Sequence, residues 1–384
     1  YMKWATNITK QGVLKVPCIP VIEDGKNLFP NAQLKKIYTG SGTLKDLYGN
    51  PIVWQETLGL HLEKAGTTID GEKREIDMQL VIEIRATNGN TYSYNVGEHC
   101  ISETMAYIIE NIIYNNVIES PPDFPYRVVN YVCEYFIPGF TDEPLNIIAL
   151  CDACLMHSFS GRALYYGLNI LKRYDKLTPE EIYDIMVSPQ LLQATGVDNN
   201  ITIEQLLRSR KDEAVNQMSG YFTANYDSMI TWITQMLEAA YAIRIKNPYF
   251  MLEIARGRDI RNNKAFINVL NEIGCPVIMN NQSNMVYIRN NSIEDNVHPP
   301  IFNVISQIYS IMNRNVLEHN TYKCQLIDWC HNDFLTTEQK DLTTDGDSCR
   351  YAPWERAKEE DIYQCYFGQI WYTWGLKDVV PQNE

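Results

Sequence analysis

The chain has 384 residues, with 33 Lys and Arg against 47 Asp and Glu, a formal net charge of −14. At 45% hydrophobic and 21% charged residues it falls in the ordinary globular range, which excludes wholesale disorder. The length suits two or three domains at ~150 residues each. No run of ~18 apolar residues occurs, so no membrane-spanning helix is expected. The opening YMKWATNITKQ has no apolar core of a secretory leader. The acidic total opposes non-specific attraction to nucleic acid or anionic lipid, yet permits a basic groove on an acidic body. The ten Cys show no framework spacing, so buried reduced thiols and a cytosolic setting are expected.

Residues 1–60 read as extended and turn-rich. Pro17, Pro20 and Pro30 remove backbone donors, so 12–30 is an edge strand or a clamped arm. A turn is expected at Tyr48-Gly49-Asn50-Pro51. Residues 76–97 are the clearest hairpin, with two alternating runs around Thr87-Asn88-Gly89-Asn90. The chain then turns helical. Apolar spacing predicts helices over 101–118, 126–137, 144–174, 178–195, 203–219, 226–245, 248–258 and 262–273. Thr178-Pro179-Glu180-Glu181 is a helix start, with a cap, Pro in the first position and acids in the first turn. A small hairpin is expected at 276–288, and helices at 301–317 and 321–335. Residues 336–360 read as an exposed polar loop, and 361–375 are aromatic-rich. The fold class expected is mostly α, with a small β portion in an N-terminal lobe. An arm over 1–40 precedes an α+β N-terminal lobe over 41–137 and an all-α C-terminal lobe over 138–384.

Several motifs bear on chemistry. Cys151-x-x-Cys154-x-x-His157 has zinc-ligand residue types, with a second half conceivable at Cys324, Cys330 and His331. Its flanks, Ile147 to Leu150 and Leu155-Met156, read as helix interior, which favours small buried side chains over a zinc knuckle. Gly-x-Ser-x-Gly, the phosphate-binding loop, Gly-x-Gly-x-x-Gly and His-Glu-x-x-His are all absent. Asp341 to Asp347 echoes a calcium loop but lacks the closing Glu. No catalysis and no cofactor are expected. Basic residues gather in three groups. One is Arg162, Lys172, Arg173 and Lys176. The second, Arg208, Arg210 and Lys211, is mixed with acids and reads as a solvated helix face. The third, Arg244, Lys246, Arg256, Arg258, Arg261 and Lys264, has few acids nearby in sequence beyond Asp259. Phosphate contacts need such cations at close range.

Three N-terminal elements resemble, in order, those of rhabdovirus nucleoproteins. The first is Val16-Pro17-Cys18-Ile19-Pro20-Val21-Ile22-Glu23-Asp24 with Phe29-Pro30. The second is Thr43-Leu44-Lys45-Asp46-Leu47-Tyr48-Gly49. The third is Leu58 to Ile69, similar to the family's strand, Lys/Arg-rich turn and Gly-Asp-x-Ile element, with Thr67 in place of the Asp. Pro125-Tyr126-Arg127 resembles the family's Glu-Tyr-Arg, and His298-Pro299-Pro300-Ile301-Phe302 through Arg314 its Asn-Pro-x-Phe helix. The family's Ser-Lys-Ser-Pro-Tyr-Ser stretch is missing. The likeness covers about half the chain, and its register over 140–290 is open, with Arg162 fitting one alignment and Arg244 to Arg261 another.

The resemblance implies a two-lobed fold that clamps single-stranded genomic RNA without sequence preference and polymerises through contacts with neighbouring copies. It implies a viral phosphoprotein and polymerase as partners, a matrix protein in the virion, and location in the virion and in the host cytoplasm or nucleus. It carries RNA contact onto Arg127 and Arg314. With the basic groups, the candidate RNA-binding set is Arg127, Arg162, Arg256, Arg258, Arg261, Arg314 and Lys323. Two alternatives stand beside it: a capsid or connector protein of another virus without an RNA groove, and a helical enzyme or module with a zinc site at Cys151, Cys154 and His157.

Overall fold

The computed structural model describes residues 39–69, 72–114, 120–196, 201–221 and 227–274, with short stretches at 278–279, 285–286, 324, 352–358, 366–373, 376–378 and 380. The described part is mostly helical, with a small antiparallel sheet. The chain divides into two compact units. One comprises residues 31–211 and 241–269; the other comprises 1–30, 212–240 and 270–384. The lobe boundary expected at 137/138 falls inside the first of these.

In the unit formed by 31–211 and 241–269, the sheet has the order β1 (Trp54–Ile69), β2 (Glu72–Ala86), β3 (Thr91–Val96). The β2–β3 hairpin is the expected one. Its turn closes with Ala86 N–H donating to Asn90 O at 3.0 Å, and Gly89 takes φ +82°, a conformation that favours glycine. Inward positions of β2, namely Leu80, Ile82 and Ile84, are fully buried, as the period-two pattern requires. β1 departs from expectation. The turn implied near Lys64 is absent, and the strand runs through Gly66 with a register shift between Ala65 and Gly66. A bulge absorbs the irregular residue while the ladder with β2 continues.

Helices α1 (Glu98–Ile113), α2 (Asp123–Tyr126), α3 (Val128–Phe136), α4 (Pro144–Cys154), α5 (Ser160–Leu171), α6 (Pro179–Met186) and α7 (Pro189–Ala194) follow. The single helix expected over 144–174 is two. The amides of Met156 and His157 bond three residues back, to Ala153 and Cys154, so α4 ends in a tightened turn. Arg210 then fastens the junction by donating to Met156 O at 2.9 Å and to the Ser158 hydroxyl. The helix expected over 178–195 is also two, because Pro189 opens α7 behind a Ser188 cap on Leu191 N–H. At α6 the capping box is complete: Thr178 Oγ1 accepts from Glu181 N–H, and Glu181 accepts from Thr178 N–H at 2.8 Å.

α4 is the axis of this core. Ile147, Ile148, Ala149, Leu150, Cys151, Ala153 and Cys154 are all fully buried, so the helix is apolar nearly all round, as an enclosed helix must be. It packs against α1 and α6 and against α10 (Phe250–Arg256). The exception on α4 is Asp152. Arg244, in the last turn of α9 (Asp227–Lys246), donates to both of its oxygens at 2.7 and 2.8 Å. The two side chains are 5% and 10% exposed. Arg244 also donates to Pro248 O at 2.9 Å and lies 4.4 Å from the Phe250 ring centroid. Burial alone would lower its pKa, but the Asp152 carboxylate and then the Tyr183 hydroxyl together outweigh that and raise it.

Two further helices, α8 (Ile203–Tyr221) and α11 (Lys264–Ile273), lie near their expected positions. In the other unit, β4 (Ile278–Met279) pairs with β5 (Met285–Val286) where the small hairpin was expected. There α12 (Tyr366–Thr373) packs on a 3-10 helix, Pro353–Lys358. Phe367 stacks on Trp371 at 5.7 Å, and Trp354 lies 6.5 Å from Trp371. The loop expected over 336–360 is thus corrected at its end, where Trp354 and Arg356 are buried. Helices expected at 301–317 and 321–335 lie outside the described residues, apart from Cys324. No helix among the described residues is long and apolar enough to cross a membrane.

Removing one partner of a buried ion pair strands the other charge. Asp152→Ala is therefore expected to cost about 3–5 kcal/mol, whereas Asp152→Leu with Arg244→Met is expected to cost much less. Urea unfolding of both variants, followed by circular dichroism, checks this ordering.

Candidate nucleic-acid interface

Arg127 is the sequence-derived candidate with the most developed setting. The Asp123 to Arg127 segment is fixed from several sides. Phe124 is buried and meets Tyr94 at 5.0 Å, and the Phe124–Pro125 peptide is cis. Asp123 Oδ2 accepts from Trp54 N–H at 2.7 Å, and its Oδ1 accepts from the Tyr131 hydroxyl. The Trp54 indole stacks on Tyr131 at 4.1 Å with the planes 7° apart. Burial, then the Asp123 carboxylate, push the Tyr131 hydroxyl well above the ordinary phenol range, so it stays a proton donor. The kink between α2 and α3 falls at Arg127, whose side chain is 45% exposed. Its guanidinium lies 3.6 Å from Asp123 Oδ1 and 5.7 Å from the Tyr131 ring centroid.

Arg127 lines a concavity of about 290 Å³. Tyr107, Asn111, Ser120, Asn130 and Thr141 supply its other polar groups, and α1 and α4 supply an apolar floor. Among the described residues that line it, none is acidic. The rim at 139–141 is held by Glu134, which accepts from Gly139 N–H and Thr141 N–H at 3.0 Å and from the Thr141 hydroxyl at 2.5 Å. Burial would raise the Glu134 pKa, but these bonds outweigh it and hold the carboxyl below its usual range. Chemically, the hollow offers one fixed cation and several neutral hydrogen-bonding groups, a set suited to an anion carried on a polar backbone.

The other candidates are distributed differently. Arg162 donates to Ala194 O at 3.0 Å and lies 5.7 Å from the Tyr166 ring, so it serves the C-terminal end of α7. Arg256 makes a two-point pair with Glu180, at 2.5 and 3.1 Å, and Arg261 pairs with Asp259 at 3.1 Å. The expectation that Asp259 is the main acid near this group is corrected, because the fold brings Glu180 from 76 residues away. Arg244 is spent in the core. Arg258 is exposed, at φ +48°, with no ion pair among the described residues. Arg314 and Lys323 lie outside the described residues. In the second group, Arg208 bonds Glu204 and the Tyr241 hydroxyl on a solvated face, as expected, but Arg210 is buried against Met156 and Ser158, which corrects that reading at this position.

Cys151 and Cys154 sit inside α4, as their flanks suggested. His157 is fully buried, its Nε2 donating to Met186 O at 2.7 Å and its Nδ1 lying 3.1 Å from Thr195 Oγ1. Both ring nitrogens are thus engaged with the protein, and no metal-holding group of His, Cys, Asp or Glu exists among the described residues. Cys330 and His331 are outside them. Comparison with protein-family models, curated proteins and solved structures finds no match.

Burial raises the thiol pKa of Cys100 to about 12 and those of Cys133, Cys151 and Cys154 well above the ordinary value. The thiolate is the reactive form. These four thiols are therefore expected to stay silent towards Ellman's reagent at pH 8 in the native protein and to react once it is denatured. Peptide mapping of the modified sites checks the assignment.

Proposed function

We propose that this chain is a nucleoprotein of the rhabdovirus type, which polymerises on single-stranded RNA and encloses it without sequence preference. The observation that carries this reading is Arg127, held by Asp123 in a hollow whose other described lining residues are all uncharged. In this reading the chain has the two-lobed fold that the resemblance implies, and it catalyses no reaction.

A backbone phosphate seats on the Arg127 guanidinium. That exchange replaces the 3.6 Å contact with Asp123, whose carboxylate already accepts from Trp54 and Tyr131, by a charge-assisted contact. Asn111, Ser120, Asn130 and Thr141 serve neighbouring phosphate oxygens and ribose hydroxyls. Such contacts position a strand and do not read base edges, so binding is independent of sequence. Asp123 acts as a positioning residue, because Trp54 and Tyr131 hold it in place. The acidic body keeps stray polyanions away, and only a strand that reaches the local cations is retained. Neighbouring copies along the RNA, a viral phosphoprotein, the polymerase and a matrix protein are the partners of this reading. The virion and the host cytoplasm or nucleus are its locations.

The test is the ratio of absorbance at 260 to that at 280 nm for the purified full chain, before and after ribonuclease, with negative-stain images. A high ratio in rings or filaments is expected, lost in Arg127→Glu and more completely when Arg314→Glu is added. For Arg127→Gln, the slope of log affinity against log salt is expected to fall by ~0.7, the value for one phosphate on a single strand. An ordered assembly with a protein-only ratio overturns the reading and favours a capsid or connector protein.

A further inference from the structure

We infer that the solvent-facing stripe of α5, together with the last turn of α3, is a base-stacking site for single-stranded nucleic acid. The inner face of α5 is locked. Gly161 leaves no room for a Cβ, which would stand 2.1 Å from Val96 O, and a Cβ on Gly167 would stand 2.1 Å from Met186 Sδ. Ala163, Leu164, Leu168 and Leu171 are buried on the same side. On the other side Tyr165, Tyr166, Asn169 and Ile170 are half-buried and Lys172 and Arg173 are exposed just beyond, while Arg162 is tied to Ala194 O. Apart from Ile170, each of these is aromatic, cationic or a neutral hydrogen-bonding group. The run from Ser160 to Tyr174 contains no carboxylate, in a chain with 47 acids.

The aromatic rings form a connected row. Tyr135 meets Phe136 at 6.1 Å, Phe136 meets Tyr165 at 5.7 Å, and Tyr165 meets Tyr166 at 5.7 Å, all edge to face. Lys172 Nζ stands 5.8 Å from the Phe136 ring, and the Arg162 guanidinium 5.7 Å from that of Tyr166. Tyr135 is 50% exposed, and Phe136, Tyr165 and Tyr166 are half-buried at the edge of the core. The nearby acid of α3, Glu134, is occupied by Gly139 and Thr141. A row of rings fringed by cations is what a single strand needs, since bases stack on the rings and phosphates meet the Lys and Arg. The local charge contrast favours this polyanion over an acidic peptide, which would leave the ring row without a flat partner.

The inference rests on the nucleic-acid reading but uses different residues from Arg127, so the two can be separated. RNA-stripped full chain is titrated by fluorescence anisotropy with a labelled oligoadenylate and with an abasic ribose–phosphate strand of equal length. Tyr135→Ala and Lys172→Gln are compared with Arg127→Glu, after thermal melts confirm folding. Tyr135→Ala is expected to weaken oligoadenylate roughly tenfold and the abasic strand hardly at all. Lys172→Gln is expected to weaken both. Equal loss on both strands in Tyr135→Ala, or no loss on either, overturns the stacking site. In the second case a loss in Arg127→Glu leaves the nucleoprotein reading standing. Absence of binding by the parent chain overturns both.

Discussion

The Asp152–Arg244 pair is the constraint on which the larger compact unit depends. It joins positions 92 residues apart and sits where water cannot screen it. Residues 241–269 belong to this unit although 212–240 do not, so the chain must be recaptured when it returns. Arg244 performs that capture with a planar fork that meets both carboxylate oxygens, while Pro248 O and the Phe250 face occupy its remaining sides. Two charges buried this deeply contribute little net stability compared with apolar side chains of the same volume. Such a pair is suited to fixing register, because an Asp152 left unpaired in the middle of α4 is costly.

That register propagates. With Asp152 facing α9, Cys151 and Cys154 are turned into the apolar interior beside Cys133 and Cys100, where burial keeps them as thiols. The spacing that suggests zinc ligands is thus the spacing of an enclosed helix, on which small side chains recur. His157 follows the same logic one turn later, with Met186 O and Thr195 satisfying its ring and linking α4 to α6 and α7. The end of α4 also sets where α5 begins, and the glycines of α5 let it approach β3 and α6 closely enough to leave its Tyr and Arg side outward.

Much of this was legible in the sequence where the signal is local. The Asn88-Gly89 turn, the alternating run of β2 and the Thr178 capping box are each decided by residues a few positions apart. What was not legible depends on partners far along the chain. Glu63 to Gly66 has a turn-like composition, yet β2 offers a continuous ladder and a bulge takes up the mismatch. Residues 144–174 have unbroken apolar spacing, yet Arg210 supplies donors for the carbonyl and hydroxyl exposed by a break at 155–159. Arg256 looked unaccompanied because Glu180 is 76 residues away.

The same distinction governs the search for a phosphate site. In a chain with more acids than bases, a cation is most often consumed by a carboxylate or a helix end, as with Arg162, Arg244, Arg256 and Arg261. Counting Lys and Arg in a window therefore overstates the surface available to a polyanion. The informative cations are those whose surroundings the fold has cleared of acids. Arg127 meets that condition despite Asp123, since this carboxylate already accepts from Trp54 and Tyr131 and the other described residues of the hollow are neutral. The end of α5 meets it at Lys172 and Arg173, beyond the tied Arg162. An acidic body with cleared patches can exclude stray polyanions and still hold a strand that spans them, because screening confines the repulsion to about a Debye length, ~8 Å at physiological salt.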